Sequence, residues 1–204
     1  MIALVDYKAG NLTSVRKALT ALGASFFTPA TAAELEGVTG VIVPGVGHFT
    51  STANLDEPWR RAIEGRVLAG APLLGICVGM QWLFEGSAES PECPGMGVLS
   101  GRCERLTGNS EAGVKVPHVG WNALVPPSGT TSVLLKGVAP GSQVYFTHSY
   151  APPVTNDCVA ATTHGAEAFG AAVERGRVFG VQFHPEKSSD VGLRILGNFL
   201  EACR

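Results

Sequence analysis

A cysteine framed by glycines, Gly75-Ile76-Cys77-Val78-Gly79, follows the apolar run 72–74 and precedes the helix-like stretch 80–85. Strand, sharp turn, nucleophile and helix in that order make a nucleophile elbow, in which the flanking glycines let backbone approach where a Cβ would clash. A free thiol has a pKa of about 8.5, leaving only a few per cent as thiolate at neutral pH, so it needs a helix N-terminus and a nearby imidazole. Residues 178–186 supply the imidazole: they read as a strand that delivers His184 at its end, with Pro185 holding His184 extended. At the strand period of two, Glu186 falls on the same face and can fix the tautomer of His184 and stabilise its imidazolium. Cys77, His184 and Glu186 therefore form a candidate set of nucleophile, general acid–base and orienting carboxylate.

Acyl transfer also needs donors for an oxyanion. One is expected from the amide of Val78, the residue after the nucleophile, and the other from the turn Pro44-Gly45-Val46-Gly47, at Val46 or Gly47. That turn follows the apolar run 40–43, so it emerges at the same carboxyl edge of a parallel sheet as Cys77. Losing one such donor costs roughly a hundred- to a thousand-fold in rate.

The elements that must position these groups are legible as two patterns. Apolar runs at 2–5, 40–43 and 72–76 are bounded by Gly or Pro and separated by helix-like stretches, as buried parallel strands are. Residues 12–22 place Leu12, Val15, Leu19 and Leu22 on one face and end at Gly23, and a second helix covers 58–69. From Leu99 onward, short β runs follow at 99–106, 121–125, 144–150, 158–163, 169–173 and 178–184, with a hairpin turn over 174–177. The chain closes with Ser188, Ser189 and Asp190 as candidate N-caps of an amphipathic helix carrying Val191, Ile195, Leu196, Phe199 and Leu200. Segments 87–97 and 109–119 read as exposed loops. The expected fold class is α/β, a mainly parallel central sheet flanked by helices with an antiparallel β extension, in one domain over residues 1–204.

A chain of 204 residues, 45% hydrophobic and 16% charged, can bury a full core. Its net charge of −2 and lack of a Lys/Arg block argue against a nucleic-acid surface. No apolar run approaches membrane-spanning length, and a cytoplasmic location is expected. Five scattered cysteines lack disulfide or zinc spacing, so no metal and no cofactor is indicated.

Taken together, the PGxG turn, the GxCxGxQ elbow and the C-terminal FHPE resemble the class I (triad) glutamine amidotransferases, which have a flavodoxin-like fold. Within that family, residues 75–81, 117–122, 145–150, 184–188 and the opening 6–12 are similar to glutaminase subunits of imidazole glycerol phosphate synthases. The resemblance covers nearly the whole chain. It implies that Cys77 attacks the side-chain amide of L-glutamine, that His184 protonates the departing ammonia, and that a glutamyl thioester is hydrolysed. It further implies that Gly47, Gln81, Glu89, His148, Ser149 and Tyr150 hold the glutamine, and that Asn11 and Lys187 face a partner. That partner would be a TIM-barrel cyclase subunit, in a heterodimer that uses the ammonia to make imidazole glycerol phosphate and an aminoimidazole carboxamide ribotide for histidine biosynthesis. Val78, Trp82 and residues 93–103 depart from the family's commonest forms without removing a catalytic group.

Each signal has a plainer reading when taken alone. A lone cysteine between glycines is usually a small buried residue, His184 could be a structural strand-end histidine, and Glu186 a solvated charge near a helix start. His48, His118 and His164, like Cys93, Cys103, Cys158 and Cys203, show no spacing that suggests chemistry and read as surface or core residues. Rival functions are a glutaminase serving anthranilate, pyridoxal phosphate or nucleotide synthesis, and a scaffold or thiol-sensor protein of the same fold.

Overall fold

Three apolar runs become the centre of the sheet: β1 (Ile2–Leu4), β3 (Gly40–Gly45) and β4 (Leu73–Cys77) are buried at every residue. Strands buried on both faces pair in parallel when helices cover those faces. In the computed structural model, which describes every residue except Asn11, Ser110 and Ala112, β1 pairs with β3 and β3 with β4, all in parallel. The register sets Gly45 directly opposite Cys77, so the Pro44–Gly47 turn and the elbow leave the sheet side by side. The short β2 (Phe26–Phe27) extends the parallel edge beyond β1.

The other side of the sheet explains the change of pattern late in the chain. The strand β12 (Val178–Val181) lies parallel to β4, and β11 (Glu167–Arg175) and β10 (Cys158–His164) add to it antiparallel. The order of the seven strands is β10-β11-β12-β4-β3-β1-β2. Gly176, at φ 60°, makes the expected turn between β11 and β12.

Helices cover the sheet as the apolar spacing requires. Helix α1 (Leu12–Ala21) buries Val15, Ala18 and Leu19, and the chain leaves it through Gly23 at φ 67°. Helix α2 (Glu57–Leu68) is capped by Asp56, which accepts from the Trp59 amide at 3.3 Å, and buries Ile63. The elbow helix α3 (Val78–Leu83) is buried throughout, and α4 (Ser189–Ala202) buries Ile195, Leu196 and Phe199. Among the described residues no helix is long and apolar enough to cross a membrane.

Several elements differ from the sequence reading. Run 144–150 breaks at Ser149: β8 (Gln143–His148) pairs with β7 (His118–Ala123), whereas β9 (Tyr150–Ala151) joins β6 (Arg102–Arg105) and β5 (Gly86–Ser87). Run 178–184 leaves the sheet after Val181, where its ladder with β4 ends. Segment 87–97 is not simply exposed: Ser87 and Ser90 are buried. It folds back on the end of α3, where Gly95 donates to the Glu85 carbonyl at 3.0 Å and a Cβ on Gly95 would lie 1.9 Å from the Phe84 oxygen. Ser188 does not cap α4 with its side chain. Its hydroxyl donates instead to the His184 carbonyl at 2.6 Å and accepts from the Tyr145 amide at 2.9 Å.

Candidate active site

Cys77 sits between β4 and α3 at φ 52°, ψ −110°, a conformation that costs a non-glycine residue of order 1–3 kcal/mol and persists only where the surroundings impose it. The two glycines of the elbow show what imposes it. A Cβ on Gly79 would lie 1.8 Å from the Val43 carbonyl oxygen, and one on Gly75 would lie 2.5 Å from the Gly79 oxygen. Helix α3 is therefore pressed against β3 and β4 more closely than any side chain at those positions would allow, and the turn between them must be tight. The thiol accepts a hydrogen bond from Gln182 Nε2 at 3.6 Å.

His184 reaches the thiol from the segment just beyond β12. Its amide donates to the Tyr145 carbonyl at 2.9 Å, its carbonyl accepts from Ser188, and its Nδ1 is 2.8 Å from Glu186 Oε1. Both triad side chains are almost completely buried, at 1% and 3% exposure, which strengthens their attraction. Burial alone pushes His184 down, but the Cys77 thiol and the Glu186 carboxylate outweigh it and raise the imidazole from 6.5 to about 10. The other ring nitrogen, Nε2, is buried and has no hydrogen-bond partner among the described residues.

The substrate residues implied by the resemblance come together. Gly47, Gln81, Glu89, His148, Ser149 and Tyr150 line one small pocket with Cys77 and Val78. Glu89 is held by the Phe49 amide, which donates to Oε2 at 2.8 Å. Gln81 Nε2 donates to the Tyr150 carbonyl at 2.8 Å and to Gln182 Oε1 at 3.1 Å. A larger cleft of about 460 Å³, beside Lys136 and Asn198, is lined by neither a cysteine nor a histidine, and of its two carboxylates, Glu174 and Glu201, the first is taken up by the Leu134 and Val133 amides.

The two candidate oxyanion positions differ. As the first residue of α3, Val78 has an amide with no intrahelical acceptor. The Val46 amide, by contrast, already has an acceptor, the Ala9 carbonyl at 3.4 Å. Gly47, at φ 89°, supplies the backbone freedom by which this turn could reorient. Lys187 places its Nζ 5.8 Å from the Tyr145 ring, and Asn11 lies outside the described residues.

Three groups escaped the sequence reading. Gln182 touches the nucleophile, and its signal was its position two residues before His184. Tyr7 buries its hydroxyl without a partner among the described residues, where a Cβ on Gly45 would lie 2.0 Å from it; burial and then the charge of Cys77 push its phenol far up. His118 and His164 join His148 in one cluster, His118 Nδ1 lying 3.1 Å from His148 Nε2 and the His118 and His164 rings 4.4 Å apart. No spacing along the chain announces a cluster drawn from β7, β8 and β10. The remaining cysteines are free thiols, and burial pushes Cys103, Cys158 and Cys203 up, away from nucleophilic chemistry.

A parallel sheet with a strained cysteine elbow at its carboxyl edge and a His–Glu pair beside it defines a class of glutamine-hydrolysing proteins, and residues 3–203 match it: the chain belongs to the glutamine amidotransferase class-I family. It is 47% identical to the imidazole glycerol phosphate synthase subunit HisH of Gloeobacter violaceus, over 98% of this chain and 88% of that protein. It is 46% identical to the subunit of the same name from Geobacillus kaustophilus, over 98% and 96%. Among solved structures, one described as a glutamine amidotransferase superposes with a TM-score of 0.75 at 24% identity, over 100% of this chain and 99% of that one, which speaks to the fold.

Proposed function

We propose that this protein is the glutaminase subunit of an imidazole glycerol phosphate synthase, hydrolysing L-glutamine and passing ammonia to a TIM-barrel cyclase subunit in the cytoplasm. The observation that carries the reading is that Cys77 shares one pocket with Gln81, Glu89 and residues 148–150, while the buried His184–Glu186 pair acts on it. The names of the relatives favour this synthase over anthranilate, pyridoxal phosphate or nucleotide synthases.

In this reading the Cys77 sulfur attacks the side-chain amide carbon of glutamine. The tetrahedral oxyanion is met by the Val78 amide and by the 46–47 turn once Val46 has left the Ala9 carbonyl. His184, kept protonated by Glu186 and Cys77, donates a proton from Nε2 to the nitrogen as the C–N bond breaks, so ammonia leaves and a thioester remains. The neutral imidazole then takes a proton from water, which attacks the thioester and regenerates the thiol and glutamate. Glu186 stays ionised throughout and holds Nδ1 of His184.

Docking of a partner is supported by an exposed apolar face beside the site. Val119 and Trp121 are 58% and 52% exposed on β7, and Trp121 packs edge-on against Tyr145, the ring under Lys187. Large exposed aromatic groups flanked by a cation are typical interface anchors.

The division of labour is testable in the complex. Cys77→Ala should abolish glutamine-dependent synthesis and leave synthesis from added ammonium intact. Loss of both activities would contradict it.

A further inference from the structure

The His118–His148 contact has only one arrangement of protons. His148 Nδ1 lies 2.9 Å from the Tyr150 carbonyl oxygen, which can only accept, so the proton of this ring is on Nδ1. His148 Nε2 is then an acceptor, and the group facing it at 3.1 Å, His118 Nδ1, must donate. His118 Nε2 is left as an acceptor and takes a hydrogen bond from Asn122 Nδ2 at 3.3 Å, which also donates to the Thr163 carbonyl at 3.0 Å. Asn122 cannot be flipped, because its oxygen accepts from the Ala123 amide at 2.8 Å. The result is a one-way chain from Asn122 through His118 and His148 to the Tyr150 carbonyl. That carbonyl also accepts from Gln81, whose second bond goes to Gln182, the donor to Cys77.

We infer that His118 is a positioning residue for the glutamine site: by donating to His148 Nε2 it satisfies the buried acceptor left by the tautomer that the Tyr150 carbonyl requires, and so steadies that carbonyl, Gln81 and the 148–150 wall of the pocket. The inference rests on the glutamine-hydrolysing reading of that pocket and assigns a new role within it.

The surroundings are built for two neutral rings. Phe146 stacks on His118 at 4.9 Å, and Phe169 packs edge-on to His148 at 5.0 Å. The groups facing the pair that can carry charge are His164 and His184, and both oppose protonation, as burial does more strongly. His164 does not compete for the chain, since its Nε2 donates to the Lys115 carbonyl at 2.8 Å.

The test compares His118→Phe, which keeps a stacking ring but loses the donor, with His118→Asn, whose amide nitrogen can stand where Nδ1 stood. Glutamine kinetics are measured in the complex with the cyclase subunit, and the tautomer of His148 is read from its ring-nitrogen NMR shifts. We expect wild-type His148 to carry its proton on Nδ1. His118→Phe should raise KM for glutamine about tenfold, the effect of orphaning one buried polar group. His118→Asn should recover most of the KM, and ammonium-dependent synthesis should be unchanged in both variants. A wild-type His148 protonated on Nε2, or a KM unaltered in His118→Phe, would overturn the role given to His118. Absence of glutamine turnover by the wild-type complex would instead overturn the proposed function itself, with the NMR result still deciding the tautomer.

Discussion

Gly79 lies so close to the carbonyl oxygen of Val43 that a Cβ at position 79 would sit 1.8 Å from it. This contact sets how deeply α3 seats against the sheet, and therefore where Cys77 and the Val78 amide point. Gly79→Ala should push the helix outward, costing about 1–3 kcal/mol as other overpacked sites do. Glutaminase activity should fall much further than stability. Chemical denaturation with parallel turnover assays would separate the two effects.

Glu186→Gln should preserve the shape of the site and remove the charge that holds His184 protonated. We expect kcat to fall roughly a hundred- to ten-thousand-fold. The transition of His184 should move down from about 10. Because the folded protein binds this proton more tightly than the unfolded chain, its stabilisation is complete below pH 6.5 and disappears as pH rises toward 10. Melting curves over that range should therefore slope downward in the wild type and flatten in Glu186→Gln.

Gln182→Leu should leave the Gln81 amide without its second acceptor and the Cys77 thiol without its donor. A loss of about 1–3 kcal/mol is expected from the orphaned buried amide. Slower alkylation of Cys77 at pH 7 should accompany it, and an unchanged alkylation rate would show that the 3.6 Å contact does not tune the nucleophile.

At the acid end the sign reverses. His118 and His148 are held near 4 and 3, chiefly by burial, so the unfolded chain binds protons that the folded one refuses. Their contribution is present above pH 6.5 and is lost as pH falls toward 4 and 3. His118→Phe should lessen this acid destabilisation, as measured by melting temperature between pH 7 and 4.

Much of this was legible along the chain because the parts are local. Gly75 to Gly79 carry their steric reason within five residues, and His184 and Glu186 meet across a spacing of two, though through the 3-10 turn Pro185–Lys187 and not along a strand as expected. The parallel strands announced themselves as apolar runs because both of their faces are buried. What stayed hidden depends on distant segments meeting. Ser188 looked like a helix cap but anchors His184, because Tyr145 from another strand competes for its hydroxyl. The break at Ser149, which sends β8 and β9 to different sheets, and the cluster of His118, His148 and His164 arise from tertiary pairing that no periodicity encodes. The second oxyanion donor was expected from the turn at Val46 or Gly47, and nothing along the chain signalled that the Val46 amide has the Ala9 carbonyl as an acceptor.

The most direct test of the account is glutamate release from glutamine, measured for this protein with and without a cyclase subunit and its nucleotide ligand, beside Cys77→Ala. The account expects release that rises sharply with the partner, as the 46–47 turn reorients, and that vanishes in Cys77→Ala. No release under any condition, or release that survives Cys77→Ala, would contradict it.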